Sequence, residues 1–188
     1  GKYTAKAALV VYPMVVDPAG TGSANSAKVD IATESRVASS REVASQAAKT
    51  LISEGDTLSE AQLTSRLMDS VKVTGTSQTS VLDIEVTRSN ADEAARYANA
   101  MANAYLQVRS DALKSSVDSA TKQLDEQIAS MEGDANRNAL VSQLQERRAQ
   151  IQLTSLAGGR VMSQAQVPSS SKSLGPVKLG VVGAVAGL

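Results

Sequence analysis

Asp83 and Glu85 are the first residues in this chain of 188 whose spacing could do chemistry. In an alternating run they share one face of a strand, which could seat two carboxylates together for acid–base work. Most such pairs are simply the solvated face of a sheet, and no acid–base role is expected of them. The chain has no His and no Cys. That removes His-based proton transfer, Ser-His and Cys-His nucleophiles, zinc sites of the usual ligand types, and disulfides. Gly20 and Gly22 lack the further Gly and the Lys-Ser/Thr of phosphate-cradling loops. The expectation is therefore no catalytic residue, no metal and no cofactor.

What remains is suited to binding and assembly. Arg147 and Arg148 form a dibasic step, the kind of pair that an anionic glycan or a lipid-linked pyrophosphate would use. The alternative is that they are solvated or paired with acids of a facing helix. Asn99 and Asn103 lie one helical turn apart, at a subunit contact or facing water. Lys+Arg and Asp+Glu both number 19, so the net charge is zero, against a dedicated nucleic-acid binder. With no Phe and no Trp, stacking on sugars or bases could come only from Tyr3, Tyr12, Tyr97 and Tyr105.

These residues need elements to position them. Alanine supplies 29 of the apolar residues, so the core is thin, which suits long paired helices better than a thick globule. Residues 3–12 alternate as a strand with one covered face, and 70–74 and 81–87 read as two more, with 160–167 as a last one. A helical region spans 30–53, with a break near Ser39–Ser40 where Ser39 and Glu42 could form a capping box. Ser59 with Gln62 caps a short helix carrying Leu63 and Leu67. Asn90 with Glu93 opens the longest element, since no Pro or Gly occurs from Ala91 to Glu132. Leu113, Val117, Ala120, Leu124, Ile128 and Met131 make a near-heptad seam along it. Gly133 marks a reversal, and 139–156 returns with Leu140, Leu144 and Ile151 available to face back.

The fold class expected is α+β: a small mixed sheet packed with helices, plus a long projecting antiparallel helical hairpin. The body takes 1–90 and 157–167, and the hairpin 91–156. Residues 168–176 form a polar linker, and 177–188 the start of a transmembrane helix. The run 179–188 (LGVVGAVAGL) has no polar side chain and is still open where the sequence stops. Gly183 and Gly187 give the Gly-x-x-x-Gly spacing of packed membrane helices. A C-terminal core helix is the alternative reading. The hairpin's remaining face is small and polar (Ala112, Ser115, Ser116, Ser119), suited to side-by-side contacts in a homo-oligomeric ring, with Ser116 and Ser119 as contact residues.

Several stretches resemble one family in order. YTAKAALVVYP is similar to the strand that opens the extracytoplasmic domain of Wzz-type chain-length determinants, the polysaccharide co-polymerases. ATESRVASSREVASQAAKTL resembles that family's first helical region, and VLDIEVTRSNADEAARYANAMANAYLQVR its strand running into a long helix. VPSSSKSLGP resembles the Pro-rich segment before the second transmembrane helix, with Ser where members often have further prolines. The resemblance implies a protein of a bacterial inner membrane whose main domain is extracytoplasmic, held by two transmembrane helices. It implies a ring that influences the length of a polysaccharide (capsule, exopolysaccharide or O-antigen) made by a separate polymerase or export machinery. It leaves open a cytoplasmic tyrosine kinase, fused or separate. Two other readings stand beside it: a periplasmic adaptor of an export pump, with β-rich half-domains flanking its hairpin, and a glycan-processing enzyme.

Overall fold

The computed structural model describes residues 1–20 and 27–171. Four strands form one sheet: β1 (Tyr3–Val11), β2 (Val71–Thr76), β3 (Val81–Arg88) and β4 (Gly159–Ser163), in the order β2-β3-β1-β4. Every neighbouring pair is antiparallel, so the sheet is not the mixed one expected. The reason is topological: each strand enters from the edge at which its sheet neighbour leaves, so no pair needs a parallel crossover. In β1 the alternation does what it promised. Ala5, Ala7, Leu9 and Val11 are buried, while Lys6 on the opposite face is exposed.

The helices are α1 (Ile31–Ala38), α2 (Arg41–Ser53), α3 (Glu60–Ser70), α4 (Ala91–Met131) and α5 (Asn138–Gln152). The break between α1 and α2 falls where expected, but Ser40 caps α2, its hydroxyl accepting from Val43 N. Ser39 instead donates back to Ser35 O and closes α1. Ser59 and Gln62 make the full capping box of α3. Strand β4 is shorter than expected, and α5 ends at Gln152 rather than 156.

Helix α4 lies along β1 and β3, with α2 packed against it and against α3. Enclosed on both sides, its first half is buried nearly all round. Alanines at 94, 95, 98, 100, 102 and 104 leave room for that close approach, and Tyr97, Met101 and Tyr105 fill the volume between. The nine residues of β1 span about 30 Å, and the stretch of α4 from Ala91 to Arg109 about 27 Å. Helix and strand therefore reach the far edge of the sheet together. Residues 110–131 run on for about 33 Å, beside α5 and the segment after β1, with α2 across a groove from Asp111 and Ser115.

That projection has its own small core. Ala120, Leu124, Leu144 and Ile151 are buried together, with Val117, Ile128 and Met131 half-covered. Leu140, expected to face back, is 43% exposed, because it lies near the reversal where few side chains remain to cover it. Gly133 makes that reversal at φ +86°, a conformation that costs other residues energy. The rest of the linker after residue 171, the apolar run with Gly183 and Gly187, and the proposed membrane helix lie outside the described residues. Among the described residues no helix is long and apolar enough to cross a membrane.

Candidate functional site at the neck of the hairpin

The body and the projection meet at a neck organised around Arg109, a residue the sequence reading did not single out. Its side chain is almost fully buried, at 6% exposure. It donates from Nε to Gly158 O at 3.0 Å and from Nη2 to Tyr12 O at 2.6 Å, and it pairs through Nη1 with Glu34 of α1. The guanidinium also lies over the Tyr105 ring, 5.8 Å from its centre. The Tyr105 hydroxyl donates to the other Glu34 oxygen at 2.5 Å. Burial, and then that hydrogen bond, push the Tyr105 hydroxyl far above its ordinary range. Gly158 permits this approach: a Cβ there would lie 2.7 Å from Arg109 Cβ.

One signal for Arg109 was present in the sequence. Tyr97, Met101, Tyr105, Arg109 and Leu113 form an i, i+4 row on the buried face of α4. A guanidinium in such a row must have partners. Their identity depends on α1, on the end of β1 and on the start of β4, which sequence spacing does not bring together.

The segment from Tyr12 to Gly20 then climbs the projection. Val16 packs into the hairpin core. A Cβ on Gly20 would meet the Arg147 guanidinium at 2.6 Å, so Arg147 is folded over this segment. Arg148 reaches the facing helix and forks onto Asp125, at 2.5 Å and 3.3 Å. The dibasic step thus ties α5 to its two neighbours. Asn99 is also engaged within the chain: it donates to Ala165 O at 3.1 Å and accepts from Ala165 N at 2.8 Å, holding the strand exit against α4. Asn103 is exposed. Ser116 and Ser119 are exposed and line a shallow groove of about 350 Å³ with Val16, Pro18, Ser115 and Gln123. A second groove of about 610 Å³ lies between α2 and α4, lined by Glu42, Gln46, Lys49, Asp111 and Ser115 among others.

Asp83 and Glu85 lie on the open face of the sheet, each with a lysine beside it. Lys6 pairs with Asp83 at 3.5 Å, and Lys6 and Lys72 both stand in register with Glu85. Among the described residues no group of acids could hold a metal ion.

At the opposite end from the neck, Glu93 accepts from Arg66 at 3.2 Å and from Arg88 at 3.0 Å. Arg88 sits 5.7 Å above the Tyr97 ring centre. Burial raises the Glu93 carboxyl, but the hydrogen bond and charge of Arg88, with the nearby Tyr97 hydroxyl and Arg66, outweigh it. The net result lies below the usual glutamate range. A depressed folded-state value contributes stability above the unfolded value and loses it as pH falls through the folded one. Glu93→Gln is expected to cost about 1–2 kcal/mol at neutral pH. In urea titrations across pH, the gap between variant and parent should close as the solution is taken below about pH 4.5. A gap that stays constant down to pH 2 would contradict this account.

No family model matches the chain, and no curated protein matches it. Solved structures similar to it include a fragment of WzzB, the polysaccharide co-polymerase of Salmonella Typhimurium (12% identity, 92% of this chain and 100% of that one, TM-score 0.40). Another is a mutant of the lipopolysaccharide O-antigen chain-length regulator of Shigella flexneri (10% identity, 91% and 100%, TM-score 0.43). A third is a full-length bacterial polysaccharide co-polymerase (11% identity, 94% and 79%, TM-score 0.43).

Proposed function

We propose that this chain is the extracytoplasmic domain of a membrane-anchored polysaccharide co-polymerase. It acts as a non-catalytic oligomeric scaffold that regulates the chain length or export of a bacterial surface polysaccharide. One observation carries the reading: the two ends of the domain converge at one pole while the long arm leaves from the other. Tyr3 pairs with Arg88 at the edge where α4 begins. A Cβ on Gly1 would lie 2.6 Å from Ser171 Cβ, so the chain enters and leaves side by side. Such a domain stands on a membrane with its arm directed away from it. We read the apolar run after Lys178, which follows Ser171 in the sequence, as the anchor.

The bare polar flank of α4 and the outer side of α2 are the surfaces offered to neighbours. A polymerase or export complex in the same membrane is the functional partner, with a tyrosine kinase a further partner on the cytoplasmic side. An export-pump adaptor fits less well, because α1, α2 and α3 occupy the flank that such a protein gives to a β-rich half-domain.

The test is genetic and physical. Deleting the gene in its host should abolish the preferred length of the surface polysaccharide, read as the band distribution on a gel. The full-length gene should restore it, and a version with 110–157 replaced by a short turn should not. An unchanged distribution in the deletion strain would remove this function.

A further inference from the structure

Among the described residues four segments join body and projection, and Arg109 belongs to one and bonds to the other three. The chain leaves the body after Tyr12, whose carbonyl accepts from Nη2. It returns into α1, where Glu34 pairs with Nη1. It leaves again through α4, which carries Arg109 itself, and returns at Gly158, whose carbonyl accepts from Nε. Among the described residues, Arg109 is the side chain that bonds to all of these segments. Beyond this level the projection has a core of its own: among the described residues, the cluster of Ala120, Leu124, Leu144 and Ile151 includes no residue of the sheet or of α1 to α3. The two cores, one around the sheet and one in the hairpin, are separate.

We infer that Arg109 is a positioning residue which fixes the direction of the hairpin relative to the sheet. Continuity of α4 alone sets that direction loosely, since long helices bend when their surroundings permit. A planar guanidinium bonded in three directions converts the neck from a single flexible rod into a joint pinned at four points. Lysine carries the same charge but no fork, and can satisfy fewer of these partners in fixed geometry. The consequence for polymer length rests on the function proposed above: a pinned arm holds the scaffold's reach constant, and a loose one does not.

The chain contains no cysteine, so two introduced cysteines take spin labels at chosen places only. One pair, Thr74→Cys with Ala135→Cys, spans body and hairpin tip. A control pair, Thr74→Cys with Lys49→Cys, lies within the body. All three positions are exposed. In the full chain, Arg109→Lys should broaden the body-to-tip distance distribution about twofold and leave the control pair narrow. Glu34→Gln should broaden it less. Arg109→Met should broaden it most, and if that variant does not fold the other two decide. An unchanged body-to-tip distribution in Arg109→Lys and Glu34→Gln overturns the inference. So does equal broadening of both pairs, since that reports a loosened body.

The same Arg109→Lys protein is then expressed in the host and the polysaccharide sized. A shifted length is expected. A broadened arm with unaltered length, where gene deletion does alter it, overturns the proposed link between arm direction and polymer length. If deletion itself has no effect, the function proposed above fails and the labels alone judge the joint.

Discussion

Replacing Glu34 with alanine is expected to lower the free energy of unfolding by about 3 kcal/mol. The carboxylate is the counter-charge that pairs with the buried Arg109. Without it a guanidinium stays in a nearly dry neck with two backbone carbonyls for company, and the Tyr105 hydroxyl loses its acceptor. Breaking a buried pair from one side costs about 3–5 kcal/mol. The low end applies because the Glu34 side chain is itself 18% exposed, so water can partly replace it. For a domain of this size the loss corresponds to a fall of about 6–12 °C in Tm. Glu34→Gln keeps an acceptor for Tyr105 and should cost about half as much.

The double variant Glu34→Ala with Arg109→Met is the informative partner. With both charges gone, no unpaired ion is buried, so the pair of substitutions should cost less than the sum of its parts. Thermal and urea unfolding followed by circular dichroism compares the parent, Glu34→Ala, Arg109→Met and the double variant. A cost under about 1 kcal/mol for Glu34→Ala would place this contact with surface pairs, such as Lys114 and Asp118 on the exposed side of α4.

The neck also explains which parts of this protein were legible in its sequence. Rules that act within a dozen residues worked well. Alternation at 3–12 and 81–87, the Asn90 cap whose side chain accepts from Glu93 N, the Ser59 box and the Gly133 reversal all act locally. Where two neighbours were chemically alike, the local rule could not choose: Ser39 and Ser40 can each cap a helix, and the chain uses the second. Contacts between distant segments were hidden. Nothing near Asn99 indicates that its amide meets Ala165, and nothing near Glu34 indicates Arg109. Arg148 and Asp125 lay within reach of a hairpin argument, since the reversal brings α5 back along α4, but their register depends on how tightly Gly133 turns. Leu140 was assigned to the seam by period alone, yet burial also requires a facing layer, and there is little of one near the tip.

Arginine at both Ser116 and Ser119 is expected to abolish assembly of the full-length protein while leaving the fold intact. Both hydroxyls are exposed on α4, one turn apart in the same stripe as Ala112 and Ser115, which are also exposed. Ser116 donates within its own helix, to Ala112 O at 3.1 Å, so this hydrogen bond ties it to no other described element. Within one chain the long arginine side chains can extend into water, and the cost to stability should stay within about 0.5 kcal/mol. Across a subunit contact they cannot. Small residues allow backbones to approach closely, and an arginine there must either hold the surfaces apart or be buried without a partner. The second outcome costs about 3–5 kcal/mol for each charge, and 1.4 kcal/mol is a factor of ten in association. One such charge therefore weakens a contact by about two to four orders of magnitude, and a ring repeats the defect at every interface. Mass measurement in nanodiscs should find oligomers for the parent and for the Ser116→Ala, Ser119→Ala control, and monomers for the arginine pair. Arginine at Gln145, exposed on α5 away from this stripe, should have little effect. Oligomers of unchanged mass with both arginines present would move the subunit contact off this face of α4.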